Sequence, residues 1–340
     1  MWRALTALLL MAFLLAGWGW LELEQRVVFE GDELAVVLAA GETPGHALRR
    51  LDDEGRLRFG PALRLYLRFQ DPARVQVGEY VIRAGSSARD LVAVLYSGKA
   101  AQRAFTLIEG ENFRQLRDAL RAEARLRQEV AGLDDAAVMA RLGAPGVHPE
   151  GRFAPDTYFY APHASSDLDL LQRAYAEQQA RLAAAWATRA AGLPYRSPDE
   201  LLVMASIVEK ETGQAHERPA IAGVFVRRLR IGMRLQTDPT VIYGLGTGFS
   251  GNLTRAHLRS PTPWNTYTID GLPPTPIAMP GRAALEAAAH PADGDALYFV
   301  GRGDGSHQFS ATLDEHNRAV REYQLRRRDD YHSAPRTAPP

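Results

Sequence analysis

Two glutamates close an apolar helix in LLVMASIVEKET (Leu201–Thr212), and they are the residues best placed for acid–base chemistry. At 100° per residue, the summed direction of Leu201 to Ala205, Ile207 and Val208 lies roughly 50° from Glu211 and roughly 105° from Glu209. Glu211 is therefore the residue on the edge of the apolar face. A carboxyl on that edge, opening on a cleft, loses hydration; its pKa rises and it stays protonated at neutral pH as a general acid. Two positions apart on a helix, the carboxylates do not face one another, so they are not an acid/base pair in themselves. The alternative is a solvated helix end with Lys210 between two surface glutamates.

Two polar stretches follow that helix: LRIGMRLQTDPTVIYGLG (Leu229–Gly246) and SPTPWNTYTIDGLPPTPIAMPG (Ser260–Gly281). Gln236, Thr237, Asp238, Tyr243, Asn265, Thr266 and Tyr267 supply amide, hydroxyl and carboxylate groups, and Trp264 adds a flat aromatic surface. Such a lining suits a polyhydroxylated substrate better than a phosphate or a metal. The alternative is a proline-rich loop whose polar groups satisfy its own backbone. Gly244-x-Gly246-x-Gly248 lacks the spacing and following helix of a dinucleotide fingerprint and reads as a loop at the cleft rim. The nine histidines form no metal-ligand pair, with His290 read as a helix end, and no GxSxG elbow is present. No metal or cofactor is expected.

The elements that must hold these residues are spread over 340 positions, enough for two or three domains. The absence of cysteine excludes disulfides, thiol catalysis and cysteine-bound metal. With a net charge of zero, no global field draws the chain to nucleic acid or an anionic surface. Lys99 and Lys210 are the only lysines among 40 basic residues, which reads as a compositional bias. Ala4–Leu21 carries no charge and, at 1.5 Å per residue, extends roughly 27 Å, just enough to span a bilayer core. Arg3 precedes it and Glu22 and Glu24 follow, which places the remainder outside the cytoplasm, with Trp18 and Trp20 at the outer interface. The bulky WGWLELEQ offers no small-residue cleavage site, so an uncleaved anchor is favoured over a signal peptide.

Beyond the anchor, Arg26–Leu38 predicts one or two strands, and Val75–Arg83 a strand pair around Gly78. Three segments repeat glycine, capping residue and short helix: Gly41 with Thr43, Gly85 with Ser87, and Gly110 with Asn112. Helices are expected over Arg114–Leu142, Leu168–Gly192, Leu201–Thr212, Arg218–Arg230, Ala283–Ala289 and Leu313–Leu325, with loops from the end of the fourth to Pro280. Ala296–Val300 reads as a strand, Arg302–Gly305 as a hairpin turn, and Ser333–Pro340 as disordered.

ASIVEKET, RLRIGMRLQTDPTVIYG, NTYTIDGLPP, AAAHP and EGRFAPDTY (Glu150–Tyr158) together resemble the YceG family of endolytic murein transglycosylases, most strongly from Glu150 to His316. The resemblance implies an α+β chain: an N-terminal membrane helix (1–24), a LysM-like α/β subdomain (25–104), a helical connecting region (105–198) and a catalytic domain with a mostly helical cleft (199–330), before a disordered tail (331–340). It implies a single-pass protein of the bacterial inner membrane whose catalytic part is extracytoplasmic. Its partners would be peptidoglycan glycan strands, with peptidoglycan synthases as candidates besides, and no nucleic acid. Glu211-Thr212 corresponds to the Glu-Ser pair of the wider lytic transglycosylases, with threonine in place of serine. Glu211 would protonate the leaving O4 of N-acetylglucosamine and then accept the C6 hydroxyl proton of N-acetylmuramic acid, leaving a 1,6-anhydro end and ending strand elongation. One carboxyl then serves both steps. Asp238 would position or structure its loop. The competing readings are a non-catalytic glycan-binding scaffold and a muramidase-type hydrolase.

Overall fold

The uninterrupted apolar run forms α1 (Trp2–Glu24), whose leucines and phenylalanine at positions 5, 8, 9, 13 and 14 are all exposed. At ~1.5 Å per residue it is about 35 Å long, and its length and composition suffice to cross a membrane. The computed structural model describes residues 2–325, so the tail expected to be disordered (331–340) lies outside the described residues. The chain forms two units, one of residues up to Phe105 with Glu123–Glu129 and Tyr158–Asp167, the other of Thr106–Ala122, Val130–Thr157 and Leu168 onward.

In the first unit β1 (Glu33–Leu38), α2 (Pro44–Asp53), α3 (Pro61–Leu67), β2 (Gly78–Arg83) and α4 (Ala88–Leu95) follow in order. β1 and β2 pair antiparallel from Glu33↔Arg83 to Leu38↔Gly78. Alternation points Val36, Leu38, Tyr80 and Ile82 onto Leu48, Leu63, Leu91 and Leu95 of the helices. Ser87 and Asp90 close a capping box at the start of α4. The strand pair expected around Gly78 is a single strand. Gly78, at φ 146°, starts it, and a Cβ there would stand 2.7 Å from that of Ala100.

β3 (Arg103–Leu107) comes next, then α5 (Phe113–Ala122), α6 (Asp135–Arg141) and β4 (Asp156–Tyr160), and β3 pairs with β4. The continuous helix expected over Arg114–Leu142 is thus two short ones. The buried Arg117 guanidinium causes the break: it donates to the carbonyls of Val130 and Leu133 at 3.0 and 2.7 Å, winding the connection back onto α5. Asp134 then caps α6.

The second unit is built around α8 (Pro198–Glu211), which follows α7 (Asp167–Thr188). Ser197 caps α8, and every residue from Leu201 to Val208 is buried. α9 (Arg218–Arg230) contributes Ile221 and Phe225 to this core. The segment expected to be loop holds two helices, α10 (Asp238–Leu245), with Pro239 in its first turn, and the short α11 (Arg255–Arg259). α12 (Arg282–Ala289) packs on α8 through small residues that include Ala287 and Ala288. β5 (Tyr298–Gly301) and β6 (His307–Ser310) form an antiparallel hairpin around the expected turn, and α13 (Leu313–Val320) passes into a π-helical turn, Arg321–Leu325.

Candidate active site

Because α8 is buried on all sides from Leu201 to Val208, its polar last turn emerges where the core ends. Glu211 is its final residue and Thr212 its C-cap. Glu211, Lys210, Thr212, Glu109, Arg218 and His307 line a hollow of about 380 Å³. Burial pushes the Glu211 carboxyl up to about 7. Against burial works a hydrogen bond that Oε1 accepts from the Thr237 hydroxyl. Asp238 nearby adds to the upward shift, and the buried Arg228 guanidinium opposes it. The helix C-terminus, the negative end of the dipole, also disfavours a carboxylate. The outcome is a carboxyl close to half protonated at neutral pH, the condition for giving and then retrieving a proton.

Glu209 differs from the solvated helix end of the alternative reading: its side chain is 5% exposed. Nor is it a free acid: it accepts the Gly281 N–H at 2.9 Å and pairs with Arg218 at 3.2 Å. The angular argument set it away from the apolar face of α8, but the start of α12 covers that side. A Cβ at Gly281 would displace the Glu109 carboxylate from its present position. Glu209 therefore ties α8 to α9 and α12.

The two polar stretches meet at the acid. Thr237, 2% exposed, is the N-cap of α10, and its N–H donates to the Thr266 hydroxyl at 3.0 Å. Thr266 also shares a 2.9 Å contact with the Thr240 hydroxyl, so two buried threonines brace the one that touches Glu211. Asp238 is exposed and accepts the Tyr267 hydroxyl at 2.6 Å, while burial raises the pKa of that phenol. Gln236 is exposed and has φ 49°, a left-handed backbone rarely adopted by non-glycine residues. Asn265 is fully buried and its amide donates to the carbonyls of His257, Leu258 and Ser260. It holds the loop and is closed to a ligand.

Tyr243 points to a different acid. Its hydroxyl donates to Oε2 of Glu150 at 3.0 Å, and Oε1 of Glu150 accepts the Phe113 N–H at 3.0 Å. Glu150 is 3% exposed, and burial pushes it, too, up to about 7. α10 therefore bonds one buried carboxyl at each end: Glu211 through its N-cap and Glu150 through Tyr243. Sequence reasoning quoted Glu150 without giving it a role. Its partners lie 37 and 93 residues away, so no local periodicity marks it.

The Thr212 hydroxyl, the counterpart of the expected serine, accepts the Gln214 N–H at 2.9 Å and lies 3.4 Å from Oε2 of Glu217. Glu217 in turn takes the His307 N–H at 2.8 Å and sits 2.7 Å from its Nδ1. This network binds the end of α8 to β6. Among the described residues, no three His, Asp or Glu side chains converge in a metal-binding arrangement.

The model of the YceG-like family matches residues 36–322. A Bacillus subtilis (strain 168) protein named endolytic murein transglycosylase is 32% identical over 280 residues, 77% of each chain. A protein of the same name from Streptococcus pneumoniae is 34% identical over 131 residues, 37% of this chain and 24% of its own. The crystal structure of a YceG-like protein from Listeria monocytogenes superimposes over 85% of this chain and 99% of its own, with a TM-score of 0.53 and 25% identity.

Proposed function

The chain belongs to the YceG-like family, and from that premise we propose that it is an endolytic murein transglycosylase with Glu211 as its acid and base. The observation that carries the residue assignment is that Glu211, which lines the hollow, accepts the buried Thr237 hydroxyl and has its pKa pushed up to about 7. Protonated Glu211 gives its proton to O4 of the departing N-acetylglucosamine as the C1–O4 bond of N-acetylmuramic acid breaks. The C6 hydroxyl oxygen then bonds to C1 and its proton passes to the Glu211 carboxylate. The 1,6-anhydro ring is closed, the acid is restored, and no water is consumed. Thr237 stabilises the carboxylate between the two transfers, and the charge of Asp238, which accepts the Tyr267 hydroxyl, holds the Glu211 pKa up.

The strand–helix–helix–strand order of β1, α2, α3 and β2, with its antiparallel pair, supports a LysM-like reading of 25–104 as a glycan-holding subdomain. α1 serves in this account as a single-pass anchor with the catalytic part outside the cytoplasm, where nascent strands and their synthases are found. Mass spectrometry of the products from purified glycan strands tests the reaction. A transglycosylase leaves ends one water lighter than a hydrolase does, and reducing muramic ends would instead support the muramidase reading.

A further inference from the structure

Next to the Glu211 hollow is a larger groove of about 960 Å³, and Gly110 and Lys210 line both. Several of the acceptors in this groove are already occupied. Glu150 takes the Phe113 N–H and the Tyr243 hydroxyl, while Asp135 pairs with Arg117 at 2.9 Å through one oxygen and its side chain stays 61% exposed. Asn112 and Gln115 each spend their side-chain oxygen on the other's backbone N–H at 2.9 Å, so only their amino groups remain to bind a ligand. The Arg114 guanidinium has no ion-pair partner among the described residues, and Lys210 Nζ gives one hydrogen to the Gly110 carbonyl at 3.0 Å, leaving two. The groove thus offers hydrogen-bond donors and two positive charges against the one exposed carboxylate of Asp135, beside apolar walls that include Phe249 and Ile242.

A sugar hydroxyl donates as readily as it accepts and gains little from a wall made of donors. A carboxylate only accepts, and bonds from charged donors are the strong ones. The component of a murein strand with that chemistry is the short peptide on the lactyl group of N-acetylmuramic acid, which has free carboxylates and alanine methyl groups. We propose that this groove binds the stem peptide next to the scissile bond, its carboxylates on Arg114 and Lys210 and its methyl groups against Phe249 and Ile242. The identity of the strand rests on the transglycosylase reading; the donor-rich groove does not. Lysine at position 210, in a chain whose bases are otherwise arginine apart from Lys99, then supplies a compact charge between the peptide groove and the acid.

The test is binding of a free, fluorescently labelled alanyl-γ-glutamyl-diamino acid tripeptide to the full chain in detergent. Saturable binding is expected, weakened at least tenfold by Arg114→Glu. Amidating the peptide carboxylates should weaken it equally and leaves the protein unaltered. Absence of saturable binding, or equal binding of the amidated peptide, overturns the proposal. Product analysis on glycan strands reports the reaction separately. A chain that forms anhydro ends but ignores the peptide refutes the groove assignment alone, and one that binds the peptide without forming anhydro ends keeps the groove and refutes the proposed reaction.

Discussion

Thr237 donates its hydroxyl hydrogen to Oε1 of Glu211 across 26 residues of sequence, from the cap of a helix that the acid's own helix does not contain. A hydrogen bond to the charged form lowers a carboxyl pKa, so this contact keeps Glu211 near neutrality against the upward push of burial.

Thr237→Val keeps the shape and removes the donor, so the Glu211 pKa should rise above about 7. Because the acid must be protonated in the free enzyme, kcat/KM falls as pH passes upward through that pKa. The variant's fall should come at higher pH, by about one unit for a hydrogen bond of ~1 kcal/mol. A pH–rate profile measures it, and an unmoved or lowered limb would contradict the role given to Thr237.

Asp238→Asn should act with the opposite sign. The amide keeps an oxygen for the Tyr267 hydroxyl, now 2.6 Å away, but removes the negative charge that raises the Glu211 pKa. The alkaline limb should move to lower pH in the same assay. If both variants move it in one direction, the electrostatic account of the site is wrong.

The half-buried place of Glu211 at the end of α8 was legible because the local period of the helix and the burial of its neighbours point the same way. Thr237, Asp238 and Tyr267 were legible as types, since polar loops after an apolar helix commonly border its exposed end. Their sorting was not. Asn265 and Thr266 look as ligand-like as Tyr267 in sequence, yet burial turns them inward as braces. α10 was read as loop despite its Asp-Pro start, because it is eight residues long and ends at a glycine. The pairing of Glu209 with Arg218 and of Glu150 with Tyr243 depends on packing between distant segments, which no spacing records.

Glu150 makes stability depend on pH. Its folded pKa is raised from 4.5 to about 7, so between these values the folded state binds more protons and stability declines as pH rises. The full effect, about 3 kcal/mol in order of magnitude, is present above pH 7 and absent below the unfolded pKa. Glu150→Gln has no such cost. Its melting temperature relative to the unmodified chain should therefore increase from pH 4.5 to pH 7.5. A difference that stays constant over that range would show that the carboxyl does not titrate as described.

The central claim is that Glu211 alone moves the proton, and the most direct measurement is the count of anhydro ends formed by Glu211→Gln and Glu209→Gln from the same glycan strands. Glu211→Gln should fold normally and form none, because the amide fills the same space and cannot donate the proton. Glu209→Gln keeps one acceptor oxygen but loses the charge-assisted bond to Arg218, so it should lose ~2 kcal/mol of stability and still form anhydro ends. Anhydro ends from Glu211→Gln, together with their loss in a folded Glu209→Gln, would contradict the account.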